Sequence, residues 1–439
     1  MRRRADRGGA GRAALVACVL GVILVACTPP PEVPQPASIE AAGTTDLVGA
    51  TAAPFPTPLT VVVRDTSGSP LAGVAVTFSV TSSPPATPLV TARARVVFDG
   101  APAPGSTKVV DTGDGGAAST VAVADEWVGT VGVTASVDTP DGTRSVSFRL
   151  TSRIPSNHGR FPADLSFPTA VGPMFDGSSI WVSEYWGTTV RKYRARDGAL
   201  VGTFPTGDGP DDIALDAGRV WVANCNSDDV VALDTDDGTV LARFPIGDCP
   251  SRVVPAAGQL FVASKSGSLY RMDPATGTVT DVVAIGGDVE DMIFDGTSVW
   301  VSGPLGHEVV RLDDLDGALR VTRIGFSCPR GLADDGENLW VASPCFGTVT
   351  KLRKSDLANM GDIPVGPVAD AVTGVEYDGR RVWVSRQYAG TIAGVDPATG
   401  TVDTMVVVGG RPLRMASDGT NLWAADFNGG LVAFTPNAG

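Results

Sequence analysis

Histidine is almost missing from this chain: its 439 residues hold two, His158 and His307. That scarcity leaves little for a zinc site or a histidine general base, and no Gly-x-Ser-x-Gly elbow, Walker loop or His-Glu-x-x-His segment is present. Long amphipathic helices are lacking as well. Aromatics make up only 6% of the chain while Gly counts 53 and Pro 33, a balance that suits many short strands and turns. Cationic excess is absent: 34 Lys and Arg face 48 Asp and Glu, a formal net charge of −14. Such a surface argues against nonspecific binding to nucleic acid.

What is there begins with a repeat. Trp181-Val182, Trp221-Val222, Phe261-Val262, Trp300-Val301, Trp340-Val341, Trp383-Val384 and Trp423-Ala424 follow one another at steps of 40, 40, 39, 40, 43 and 40 residues. Turns such as Asp176-Gly177 and Asp335-Gly336 precede the aromatic, and two further alternating runs follow it. Each unit reads as four short strands, and a unit of about forty residues with that content is a β-propeller blade. Seven blades are expected over 158–439. The last copy ends after three strands, at Leu431 to Phe434, so residues around 160 to 169 are expected to close it as its outer strand. Asp273-Pro274-Ala275-Thr276-Gly277-Thr278-Val279 and Trp221-Val222-Ala223-Asn224 carry a resemblance to the YVTN and NHL-like bacterial propellers.

Upstream, Leu59 to Arg64, Val74 to Val80, Arg93 to Phe98, Ala117 to Ala122, Thr130 to Val137 and Val146 to Leu150 alternate in the manner of strands, and predict a β-sandwich over 58–152. Leu59 to Asp65, Gly73 to Phe78 and Gly129 to Ala135 are similar to the invasin and intimin type of bacterial Ig-like domain, a resemblance that implies a stiff spacer. The expected fold class is therefore all-β: an Ig-like sandwich followed by a seven-bladed propeller. Residues 28–57 are rich in proline and read as a stalk.

The first 27 residues carry five Arg ahead of an apolar run, Ala13 to Ala26, shorter than the ~20 residues of a membrane span, and read as an export signal. Leu24-Val25-Ala26-Cys27 resembles the bacterial lipoprotein lipobox, which implies a lipid on Cys27 and anchoring to the outer face of the cell membrane; an ordinary secretory signal is the alternative. Cleavage there moves the formal charge from −14 to −18. Cys225, Cys249, Cys328 and Cys345 then remain, and export favours disulfides. The blade register puts all four on one face, and Cys225 with Cys249 and Cys328 with Cys345 is the preferred of three pairings.

Propeller ligands sit over the central channel, on the face bearing the loops that lead into each first strand and those joining second to third strands. Nine and ten residues before the aromatic stand Asp211, Asp212, Arg252, Glu290, Asp291, Arg330 and Arg414; three after it stand Glu184, Asn224, Arg386 and Asp426. Positions that vary between repeats while staying polar are where a ligand site is written. The competing account has these charges pairing with one another or solvating a channel mouth. The aromatics themselves read as core, and Asp234-Thr235-Asp236-Asp237-Gly238 as a turn rather than a calcium loop, since Pro245 stands where an EF-hand needs its Glu.

Two functions compete. One is a lipid-anchored, monomeric binding module without cofactor, whose mouth contacts a protein, peptide or glycan of the cell envelope. The other is a metal-assisted lyase or hydrolase using Glu184, Asp211, Asp212, Glu290 and Asp291. Virginiamycin B lyase is a seven-bladed propeller of that second kind, with a His and Glu cluster holding magnesium; His307 and Glu308 offer one match to it, and its second catalytic His has none here.

Overall fold

The computed structural model describes residues 33–82, 95–100, 107–155, 159–161, 169–216, 218–303 and 307–436. The export signal, Cys27 and residues 162–168 of the expected closing strand lie outside the described residues.

All named elements are strands apart from one 3-10 turn, Val368–Asp370. The N-terminal unit is a sandwich of a three-stranded sheet, with Leu59–Arg64 at its centre, and a five-stranded sheet, whose longest members are Gly129–Thr139 and Gly142–Arg153. Alternation builds its core: Leu59, Val61 and Val63 are fully buried against Phe78, Val133 and Phe148. The stalk reading needs correction. Ser38–Ala41 pairs with Leu59–Arg64, and Asp46–Ala50 runs parallel to Gly142–Arg153. Residues 38–50 contain no proline, and Ile39 and Leu47 belong to the sandwich core, so the folded unit begins inside the proline-rich stretch.

From Ala170 on, six consecutive groups of four antiparallel strands form six sheets, and the seventh takes Pro412–Ser417, Leu422–Asp426 and Leu431–Phe434 together with Gly159–Phe161 from before the first blade. The closing strand pairs Gly159 with Ala433 and Phe161 with Leu431. It overlaps the start of the expected 160–169. First strands pack in succession around the ring, and that of blade seven packs on Ala170–Phe175 of blade one, which closes the circle. The repeat aromatics lie in the second strands, with the six tryptophans and Phe261 fully buried.

The Asp of the Asp-Gly turn explains itself in five blades. Asp176, Asp295, Asp335, Asp378 and Asp418 each take the tryptophan Nε1–H on one carboxylate oxygen, at 2.7–2.9 Å. The other oxygen caps backbone N–H groups of the turn, as Asp176 does for Ser178 and Ser179. At Asp295 and Asp335 these bonds outweigh burial and hold the carboxyl below its ordinary range. The Asp234 turn is likewise spent on backbone: Asp234 Oδ1 accepts from Asp236 N at 2.7 Å and Asp237 Oδ1 from Thr239 N at 2.9 Å. Its Gly238, at φ 72°, lies where a Cβ would strike the Phe204 ring of blade one, so both conformation and contact demand glycine.

Blades are stitched on the face opposite the mouth by a cation above the tryptophan. Lys192, Arg311 and Lys351 lie 5.1, 5.3 and 5.4 Å from the rings of Trp181, Trp300 and Trp340. Lys192 Nζ goes on to donate to Thr235 O, and Lys351 Nζ to Pro397 O, each a turn of the next blade. The sandwich is seated on the same face. Val128 N donates to Gly177 O at 2.9 Å, Asn421 Nδ2 donates to Pro155 O at 3.0 Å, and Ile154 is buried with blades one and seven. The channel mouth therefore opens away from the N-terminal unit.

Candidate functional site

The loops leading into first strands and those after second strands meet over the channel and enclose a cavity of about 240 Å³. Six of the expected residues line it: Asp211, Arg252, Glu290, Asp291, Arg330 and Arg414. Asp212 lies just beneath, 5% exposed.

These charges hold the ring together from within. Arg414 reaches from blade seven across the channel, with Nη1 on Asp212 Oδ1 at 2.6 Å and Nη2 on Asp291 Oδ1 at 2.9 Å and on Glu290 O at 2.8 Å. Arg252 Nη1 donates to Asp211 Oδ1 at 3.0 Å, and its Nε to Glu290 O at 2.7 Å. The carboxylates in turn accept from the next blade's backbone: Asp212 from Val253 N at 3.1 Å and Asp291 from Leu332 N at 2.8 Å. Burial opposes charge on Arg252, but Asp211, Asp212, Glu290 and Asp291 around it win and hold its pKa above the ordinary value. Burial pushes Asp212 the other way, upward, against Arg414 and Arg252. The pairing account of the sequence thus describes Asp211, Asp212, Arg252, Asp291 and Arg414.

Arg330 and Lys265 are less confined. Arg330 Nε meets Glu290 Oε2 at 3.2 Å with its side chain 35% exposed. Lys265 Nζ stands 3.2 Å from Asp211 Oδ2 and donates to Tyr185 OH at 2.8 Å, 5.0 Å from that ring's centroid. Asp288 lines the cavity half-buried, and burial together with neighbouring Glu290 raises its pKa. Lower on the inner wall, burial pushes Glu376 up to about 8; its Oε1 accepts from Ser417 N of blade seven at 3.1 Å.

The four expected residues three places after the aromatic do not reach the cavity. Each is the last residue of its second strand and turns into its own loop or hairpin: Glu184 Oε2 accepts from Thr189 Oγ1, Asn224 Nδ2 donates to Asp229 Oδ1, and Asp426 Oδ1 accepts from Arg411 N and Asn428 N. Arg386 Nε pairs with Asp370 at 3.1 Å. One place further on the strand has ended, and there Tyr185, Lys265, Gln387 and Phe427 face the opening. The same step holds Cys225, bonded to Cys249; Cys328 and Cys345 are bonded too, which pins loops of blades two and five and fits an oxidising compartment. On the rim, Arg411 lies between the rings of Tyr388 and Phe427, at 4.9 and 4.6 Å, and Trp186, Phe346 and Tyr388 are each more than half exposed.

His307 is exposed, Glu308 pairs with Arg323, and neither lines the cavity. Among the described residues no three His, Cys, Asp or Glu side chains are grouped to hold a metal ion, and no helix is long and apolar enough to cross a membrane.

Seven four-stranded sheets closed around a channel, with mixed charge at one mouth, define a seven-bladed β-propeller. Hydrazine synthase of Kuenenia stuttgartiensis is similar in structure, with a TM-score of 0.53 and 16% identity over 62% of this chain and 97% of that one. The computationally designed Ika8 protein follows, with a TM-score of 0.49 and 12% identity over 61% and 96%. At such identity the likeness to hydrazine synthase speaks for the fold alone. No protein-family model and no curated protein matches the sequence.

Proposed function

We propose that this chain is an exported, lipid-anchored binding protein of the cell envelope, whose propeller mouth takes a protein, peptide or glycan while the Ig-like unit acts as a spacer. The observation that carries the reading is the mouth itself. Its deep charges are consumed in holding the blades, whereas Arg330, Asp288 and Gln387 still face the cavity, under a rim of exposed aromatic rings. Exposed rings beside polar groups supply stacking area with little ordering cost, which suits both sugars and peptides. The seat of the sandwich on the far face supports the spacer role, because an anchor preceding it leaves the mouth pointing outward.

Peptide and glycan arrays probed with the purified full chain test the reading. Binding is expected to one ligand class, and to be lost in the double variant Arg330→Gln, Gln387→Leu, which melts like the parent. Binding that the double variant retains in full refutes the mouth as the site.

A further inference from the structure

Several residues of the cavity keep polar atoms with no partner among the described residues. Gln387 is 6% exposed and lines the cavity, yet its carboxamide makes no hydrogen bond with any described residue. Arg330 spends only Nε, on Glu290, and leaves both Nη groups with no bond to a described residue. The Asp288 carboxylate meets neither a cation nor an N–H at bonding distance among the described residues, and Glu290 Oε1 is likewise unused. Gln387 is the buried one among them, and a buried polar side chain that lines a cavity without a bond to any described residue is placed for something that bonds it.

The combination selects the ligand. Asp211 is neutralised by Arg252 and Lys265, and Asp291 by Arg414, which leaves one planar guanidinium fork and one carboxylate cluster facing a common space. A purely anionic or purely cationic ligand would satisfy one of them and repel the other. A carboxamide donates and accepts side by side, which matches a peptide amide. Val171, Leu413 and Phe427 supply an apolar wall for a small side chain, and about 240 Å³ limits the size.

From this we infer that the mouth takes a short peptide with both termini free, of dipeptide size. Its carboxylate lies on the Arg330 Nη fork, its ammonium on Asp288 and Glu290 Oε1, and its amide on Gln387. The inference rests on the mouth being the binding site.

Titration calorimetry with the full chain and L-alanyl-L-alanine, its N-acetyl form and its C-terminal amide provides the test. The free dipeptide should bind saturably at one site, and each cap should weaken it roughly tenfold or more, the worth of one charge-assisted hydrogen bond. Arg330→Gln should erase the discrimination against the amide alone, and Asp288→Asn that against the acetyl form alone. Gln387→Leu should weaken all three alike, which keeps the test open if an Asp288 variant folds poorly. Equal affinity of free and capped forms, or no saturable heat, overturns the dipeptide assignment. The wider reading falls separately, when array binding by the double variant matches the parent.

Discussion

Replacing Arg414 with alanine is expected to destabilise the propeller by about 3–5 kcal/mol, the range for stripping one partner from a buried ion pair. Its guanidinium, from blade seven, satisfies Asp212 of blade two and both Asp291 and the Glu290 carbonyl of blade four at once, and no described residue is placed to replace it. Two carboxylates would remain in the channel with one fewer cation between them. Arg330→Gln, by contrast, removes a half-open pair with Glu290, a contact of the kind worth ~0–1 kcal/mol. Urea unfolding of the two variants beside the parent checks the contrast. Equal losses would mean that the division between fixed and free charge does not exist.

Glu376→Gln should remove a loss of stability that the parent suffers as pH rises. The folded carboxyl titrates at about 8, above its ordinary 4.5, so the folded protein holds a proton that the unfolded chain gives up in between. Stability from this group is therefore complete below about pH 4.5, falls as pH rises towards 8, and stays level beyond it. Glutamine keeps the bond from Ser417 N and cannot ionise. Parent and variant should melt alike near pH 4.5, and the variant should gain on the order of 4 kcal/mol over the parent by pH 9. A gap that does not change with pH would show that Glu376 is ionised in the fold.

Much of this architecture was legible in the chain. The spacing of Trp181 to Trp423 gave seven units because each aromatic must fill the same gap between sheets, and the register that follows from it put Cys225 beside Cys249 and Cys328 beside Cys345. The same register located the mouth through residues nine and ten before the aromatic. It failed three places after, at Glu184, Asn224, Arg386 and Asp426, because a strand's last residue still obeys the alternation of the sheet while the next one is free to face the opening. Gln387 and Lys265 could have been found by moving one step along. Asp288 lies in the connection before blade four, at no repeated position, and nothing in the pattern marked it. Ser38–Ala41 and Asp46–Ala50 were hidden by composition, since the prolines on both sides swamped a proline-free stretch. The cations above the tryptophans had a signal too, eleven residues after the aromatic in blades one, four and five.

Arginine-selective dicarbonyl labelling of the native full chain, read by peptide mass spectrometry, tests the central division most directly. Arg330 should be modified early, while Arg252 and Arg414 stay unmodified until the propeller unfolds. Modification of Arg252 and Arg414 at the rate of Arg330 in the folded protein would contradict the account.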